Sequence, residues 1–468
     1  MIEASLAEVA AACQGRLVRG SPDQRLLGVS LDSRQTQPGQ VFIALKGEQH
    51  DGHDFIPAAV AAGAAAVVAS PSWIRAPDTG RDVSADVPDG VGLVVVTDTL
   101  EALGGLAAWH RRRFDLPVIG VTGSTGKSTT KEMLAAILRR RWQVLASEGT
   151  ENNEIGVPKT LLRLGAEHQV CVLELAMRGL REIAYLCKIA QPSGGIVTNV
   201  ADAHLGLLGS RRRIAAAKVE LPASLPSDGF LVINADDEIV ARMREVTAAR
   251  PVTFGIEAPA DVSASRVRSL GVEGTEFGLQ ADGHSWPVRL RLMGRHHVYN
   301  ALAAAAAALQ MSADRDDIAE ALAAYEGLPM RGNPIAAPGG FTIIDDSYNA
   351  SPAGARAALE ILRHAAGDGR RVVVLGDMLE LGEESHYHHV ALGEAMAQDG
   401  TNLVVTVGPE SQATARAASA RGVEAHAFED KLAALDFLRS RLGPGDTVLV
   451  KGSRRMEMED ITGGLLGG

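Results

Sequence analysis

Aromatic residues make up only 4% of this 468-residue chain, and cysteine occurs three times. With so few Phe, Tyr and Trp, the interior has to be built from Ala, Val, Leu and Ile, which the 46% hydrophobic content supplies. Cys13, Cys171 and Cys187 stand far apart with no metal-type spacing, so the cysteines point to a reducing cytoplasm. Positive charge is also in deficit. A formal net charge of −11 argues against a general nucleic-acid or membrane surface, which needs a basic face. No apolar run is long enough to span a bilayer, and the first residues lack the basic-then-apolar order of a signal peptide. There is no repeat of solenoid period, and compositional bias is confined to the alanines of 303–308. The arginine runs 111–113, 139–141 and 211–213 read as solvated helix ends, with some open to an anionic substrate.

What the chain does have is length for about three domains and a repeated alternation of apolar runs with helical stretches. Residues 1–97 read as a small α/β unit, with a strand at Val41–Leu45 and an Ala-rich helix running into a strand over Phe55–Val68. Residues 98–327 read as a mainly parallel sheet wrapped by helices. Its expected strands are Val118–Thr122, Val144–Ala146, Val170–Leu175, Gly195–Asn199, Phe230–Asn234 and Val252–Gly255. A small antiparallel appendage follows over Asp261–Leu292, then helices at Tyr299–Gln310 and Asp316–Tyr325. Past Gly327-Leu328-Pro329, residues 328–468 repeat the alternation as a Rossmann-like doubly wound unit. The fold class expected is therefore α/β with three domains: a smaller N-terminal one, a central P-loop one and a C-terminal one.

The stretch with the clearest chemistry is Val118-Ile119-Gly120-Val121-Thr122-Gly123-Ser124-Thr125-Gly126-Lys127-Ser128-Thr129-Thr130. An apolar strand ends in a Gly-rich turn, and Lys-Ser-Thr-Thr then opens a helix. Such a loop closes backbone N–H groups around phosphate oxygens, with the helix N-terminus adding partial positive charge. Lys127 can reach β/γ-phosphates and the Ser128 hydroxyl can ligate Mg²⁺. The usual expression needs Gly where Val121 stands, and an ordinary Gly-rich turn before a helix is the alternative. Glu174 ends an apolar strand, where a carboxylate can hold Mg²⁺ opposite Ser128 or merely cap a helix. The next strand end delivers Asp202 and His204 into a loop, with His204 either a structural hydrogen bonder or a ligand. Lys218 reads as a plain, solvated helix lysine. Asn300 suits an adenine edge or a helix start. Arg331 can swing onto a γ-phosphate, and the 345–352 segment is too polar for a core.

Taken together, these stretches resemble the Mur ligases, ATP-dependent enzymes that build the peptide of the peptidoglycan precursor. The phosphate loop has that family's spacing, with no Gly at Val121. The pointers span the chain: Asp32-Ser33-Arg34, Ala44-Leu45-Lys46-Gly47, Asp51-Gly52-His53-Asp54-Phe55, Asn152-Asn153-Glu154-Ile155-Gly156-Val157-Pro158, Asp346-Ser347-Tyr348-Asn349-Ala350, Leu375-Gly376-Asp377-Met378 and Val450-Lys451-Gly452-Ser453-Arg454. The resemblance is strongest to the branch that joins D-alanyl-D-alanine to UDP-N-acetylmuramoyl-tripeptide.

The resemblance implies a role for each matching position. Gly123, Ser124, Thr125, Gly126, Lys127, Ser128 and Thr129 hold the ATP phosphates. Ser128 and Glu174 hold a first Mg²⁺; His204 and a carbamylated Lys218 hold a second. Asn300 contacts adenine, Arg331 the γ-phosphate and Asp346 the ribose. Ser33, Arg34, Lys46 and Gly47 meet the UDP-sugar, and Asn152, Asn153, Tyr348 and Asn349 are assigned to substrate. ATP would phosphorylate the tripeptide carboxylate, and the dipeptide amine would then displace phosphate. Gly206, Ala176 and His297 depart from the family pattern. The expected enzyme is a cytoplasmic monomer with no nucleic-acid partner and no membrane insertion. The rivals are another amino-acid-adding Mur ligase, a folylpolyglutamate synthase, and a P-loop ATPase switch. Of the first, the diaminopimelate-adding enzyme would carry an Asp-Asn-Pro-Arg-like motif in its last domain, absent here; the second would have its phosphate loop near the chain start. The third would hydrolyse ATP without an acceptor.

Overall fold

The computed structural model describes residues 2–47, 49–74, 87–201 and 210–467. Its largest sheet has nine strands in the order His284–Leu290, Thr275–Ala281, Val262–Ser269, Arg250–Gly255, Phe230–Asn234, Gly194–Val197, Val118–Thr122, Val170–Glu174 and Val144–Ala146. Every strand expected in the central stretch is present, within two residues at each end. The expected antiparallel appendage is there too: the strands starting at Val262, Thr275 and His284 pair antiparallel. They extend the main sheet through a parallel pairing of Phe254 with Val262. By packing, the chain divides into two compact units.

The first unit comprises Met1–Gly120, Trp142–Met177 and Arg181–Ser193. Its own five-stranded sheet runs Arg16–Arg19, Gly92–Val95, Ala66–Ala69, Val41–Ile43, Val29–Ser30, and all but the first strand are parallel. The buried strand Ala66–Ala69 contains no side chain larger than valine, as the composition demanded. The helix Thr99–Arg111 starts at Asp98, whose carboxylate accepts the N–H groups of Leu100 and Glu101. It ends at Arg111, which corrects the reading of its run as solvated. That guanidinium is buried, donating to the carbonyls of Ala190 at 3.0 Å, Phe114 at 2.7 Å and Leu116 at 3.0 Å.

The second unit comprises Val121–Arg141, Arg178–Leu180 and Gly194–Gly468. Here the helix Arg295–Gln310 packs along the phosphate-loop helix Lys127–Leu138. The alanines 303–308 are all buried, so the tract is what lets two helices lie close without large side chains. A six-stranded sheet runs Asn333–Ala336, Thr342–Asp346, Thr447–Lys451, Arg371–Gly376, Leu403–Val407, Glu424–Phe428, and only the first pair is antiparallel. Alternate residues feed opposite cores: Val373 and Leu375 join Leu359 and Leu362, while Val372 and Val374 join Leu435 and Leu438. Its two edge strands carry no sequence expectation. Asn333–Ala336 and Glu424–Phe428 are partly exposed and polar, so neither makes an apolar run.

Replacing Arg111 with Ala strands three carbonyls in the interior. We expect the folded state to lose about 3 kcal/mol, read as a lower urea midpoint with an unchanged slope. Arg111→Lys should recover little, because one ammonium cannot span three divergent acceptors. An Arg111→Ala protein as stable as the parent would contradict the clamp.

Candidate active site

The phosphate loop takes its form from two close approaches. Gly123 (φ +151°) lies where a Cβ would sit 1.8 Å from Thr198 Oγ1, and Gly126 (φ +79°) where a Cβ would sit 2.3 Å from Asn300 Oδ1. Only glycine fits either place. Val121, the departure from the usual expression, is the fully buried fourth residue of the strand Val118–Thr122. The turn begins after it, so no glycine is needed there. Gly126 caps the helix, and Lys127 folds its ammonium back onto the carbonyls of Gly123 at 3.0 Å and Ser124 at 3.3 Å. Ser128 is buried in the first helical turn.

Lys218 ends the helix Arg211–Lys218 and is only 2% exposed, so the solvated reading of it is corrected. Burial drives its pKa far down, and the charge of Lys127 pushes the same way. Both effects bias Lys218 toward the neutral amine. Asn300 lies on the Ala-rich helix with its amide oxygen 3.4 Å from Thr130 Oγ1 and its nitrogen 3.5 Å from His297 Nδ1. His297 is itself kept neutral by burial, then by His296 and Arg331. The rings of His296 and His297 are 4.1 Å apart.

Farther along this unit, the guanidinium of Arg331 stacks on the ring of Tyr348 at 3.8 Å. Asp346 pairs with Lys451 at 2.5 Å, and Lys451 also donates to the Asn349 carbonyl at 2.9 Å. The segment thought too polar for a core is partly core after all. Asp345 and Ser347 are buried because each satisfies the other, Ser347 Oγ donating to Asp345 Oδ1 at 2.6 Å.

In the first unit, Glu174 is 2% exposed. One carboxylate oxygen accepts from Asn152 Nδ2 at 2.8 Å; the other, Oε2, is buried with no hydrogen-bond partner among the described residues. Asn153 serves its own turn, accepting the N–H groups of Ile155 and Gly156. Arg34 is exposed and forked onto Asp32, and Ser33 opens a short turn capped by that same Asp32. Lys46 bridges back to Asp51, with Gly47 donating to the carbonyl of His50. His204 and Gly206 lie outside the described residues.

The comparisons with known proteins cover all of these elements. Family models match at residues 25–111 (Mur ligase family, catalytic domain), 121–308 (Mur ligase middle domain) and 330–454 (Mur ligase, glutamate ligase domain). A curated relative, the UDP-N-acetylmuramoyl-tripeptide–D-alanyl-D-alanine ligase of Escherichia coli, is 39% identical over 98% of each chain. The chain belongs to the Mur ligase family. The ligase of the same name from Bacillus subtilis is 33% identical, covering 100% of this Mur ligase and 99% of its own length. Among solved structures, MurF from Acinetobacter baumannii superposes with a TM-score of 0.89 at 33% identity over all of both chains. MurF from Thermotoga maritima in complex with ADP gives 0.82 at 28%, over 94% of this chain and 97% of its own. The fold is the three-domain Mur ligase fold, with a large, mostly parallel sheet and flanking helices.

Several residues of this Mur ligase carry weight that sequence reasoning did not give them. Asn199 holds the phosphate loop, and Asp237 accepts the Val200 N–H at 2.7 Å, fixing the chain that leaves that strand. Asp236 accepts three consecutive amides, Ile256 to Ala258, and the Tyr299 hydroxyl. Lys451 is another: its strand and that of Asp346 are paired in register, so two apolar runs ending in opposite charges were the signal.

Glu174 offers the first unit a donor of the hard type that Mg²⁺ takes: its Oε2 is a buried carboxylate oxygen with no hydrogen-bond partner among the described residues. The described residues contain no cluster of three His, Cys, Asp or Glu groups.

Gly126→Ala should keep the fold at a cost of roughly 1–2 kcal/mol for its left-handed backbone. It should weaken ADP binding by at least about tenfold as Asn300 is displaced. Unchanged ADP affinity by calorimetry would contradict this geometry.

Proposed function

We infer that this Mur ligase joins D-alanyl-D-alanine to UDP-N-acetylmuramoyl-tripeptide at the expense of ATP, giving the pentapeptide precursor, ADP and phosphate. The observation that carries the reading is the end-to-end match to ligases of that name, 39% identical in one case. ATP as the nucleotide is supported by the phosphate loop and by the ADP in a relative's structure. The assignment of residues 1–97 to the UDP-sugar, 98–327 to ATP and 328–468 to the dipeptide belongs to this reading, as do a cytoplasmic location and a monomeric state. No helix among the described residues is long and apolar enough to cross a membrane.

In this mechanism a tripeptide carboxylate oxygen attacks the γ-phosphorus and ADP departs, leaving an acyl phosphate. The dipeptide amine attacks the acyl carbon, loses a proton and expels phosphate. Lys127 is placed at the loop to neutralise charge on the phosphates as it moves. Ser128 and Glu174 would hold Mg²⁺, a Lewis acid for the phosphoryl oxygens; Asn152 fixes the Glu174 carboxylate. His204 would serve a second ion. Asn300, Arg331 and Asp346 are assigned to adenine, γ-phosphate and ribose, and Ser33, Arg34, Lys46, Gly47, Asn153, Tyr348 and Asn349 to the organic substrates.

Lys218 is the residue whose chemistry is least ordinary. A buried neutral amine is the form that adds carbon dioxide, and a carbamate would replace repulsion from Lys127 with attraction. It would also supply an anionic oxygen donor for a cation.

Phosphate release from Mg–ATP should require both UDP-N-acetylmuramoyl-tripeptide and D-alanyl-D-alanine. Equal release without the dipeptide would favour an ATPase switch. In the same assay Lys218→Ala should fall by about a hundredfold or more, roughly 3 kcal/mol of barrier, with partial rescue by short carboxylic acids. Lys218→Arg should stay inactive, since a guanidinium forms no carbamate. A fully active Lys218→Arg enzyme would remove the modification from the account.

A further inference from the structure

The end of the strand Gly194–Val197 ties down one half of the phosphate loop. The Asn199 carbonyl accepts the Ser124 N–H at 2.9 Å, and its side-chain oxygen accepts the Thr125 N–H at 3.0 Å. The same amide donates through Nδ2 to the Thr125 carbonyl at 3.2 Å and meets Thr125 Oγ1 at 3.0 Å. Thr198 Oγ1 donates to that carbonyl as well, at 2.6 Å. Both main-chain groups of Thr125 are therefore held from one side. A side-chain amide can accept at its oxygen while it donates from its nitrogen, and Asn199 does both.

This arrangement has a consequence for anion binding. The N–H groups of Ser124 and Thr125 are the first donors such a loop would offer a phosphate, and both are already engaged. A peptide unit is planar and trans, so fixing the Thr125 carbonyl toward Asn199 aims the Gly126 N–H the opposite way. The first helical hydrogen bond runs from Thr130 N–H to the Gly126 carbonyl, at 2.9 Å, so the amides ahead of it carry no intrahelical bond.

Resting on the reading of this loop as an ATP site, we propose that Asn199 is a positioning residue for the nucleotide's phosphates. Its amide withholds the Ser124–Thr125 half of the loop and presents the donors from Gly126 onward to the β- and γ-phosphates. Asn199 touches neither the base nor the reacting atoms. Its loss is felt by ligands in proportion to the phosphates they place in the loop.

The test compares ATP, ADP and AMP binding by calorimetry in the full-length protein, its Asn199→Ala variant and its Asn199→Asp variant. Both variants should bind ADP and ATP at least about tenfold more weakly, with AMP affinity within about twofold of the parent. Asn199→Asp should be the weaker binder of the two, since it sets a carboxylate oxygen against the Thr125 carbonyl and adds negative charge beside the phosphates. Unchanged ADP affinity in Asn199→Ala, or an AMP loss as large as the ADP loss, overturns the proposal. So does loss of the folded circular dichroism spectrum in both variants, because the tie would then serve the fold. If the parent itself binds neither ADP nor ATP, the ATP reading falls, and this inference with it.

Discussion

The constraint on which the second unit depends is steric: the phosphate loop has no room for a β-carbon at Gly123 or Gly126. Thr198 closes on one glycine and Asn300 on the other. Each of those residues is delivered by a different element, a buried strand end and an Ala-rich helix. The helix can lie against the loop's own helix because its buried face is alanine. A chain with more aromatics would fill that gap and push the two apart. The low aromatic content and the tight loop are thus parts of one solution.

Ionisable groups enter the interior of this molecule in a particular way. Lys451 is buried against the half-buried Asp346, and the pairing supplies hydrogen bonds for both. Arg111 is buried against three carbonyls and behaves as a structural pin. Lys218 and Glu174 differ. The lysine is forced toward its neutral form by burial and by Lys127, and the glutamate keeps one oxygen buried without a donor among the described residues. Groups placed this way destabilise a fold unless a ligand or modification completes them. The proposed metal and carbamate roles of Lys218 and Glu174 would account for that contrast.

Most of the fold was legible in the sequence because parallel strands are buried on both faces and read as unbroken apolar runs. Val118–Thr122 and Val144–Ala146 are found residue for residue. The edge strands Asn333–Ala336 and Glu424–Phe428 were illegible for the opposite reason: half of each faces water. The loop chemistry was legible from Gly123 to Thr130, since those residue types serve few other purposes together. Burial was the weak point. Nothing local distinguishes Lys218 from a solvated helix lysine, and Arg111 is fixed by two nearby carbonyls together with that of Ala190, 79 positions away. Asn199 escaped notice for a related reason, its partner lying 74 positions away.

In the proposed reaction a peptide carboxylate is activated by ATP and then captured by a dipeptide. An isotope measurement follows the carboxylate oxygen. UDP-N-acetylmuramoyl-tripeptide carrying ¹⁸O in its terminal carboxylate would be turned over with ATP and D-alanyl-D-alanine, and the released phosphate analysed by mass spectrometry. An acyl phosphate leaves its bridging oxygen on phosphorus, so one ¹⁸O should appear in each phosphate formed from fully labelled carboxylate. Pentapeptide formed with unlabelled phosphate would contradict the mechanism, and labelled tripeptide returned intact while ATP is hydrolysed would contradict the ligase.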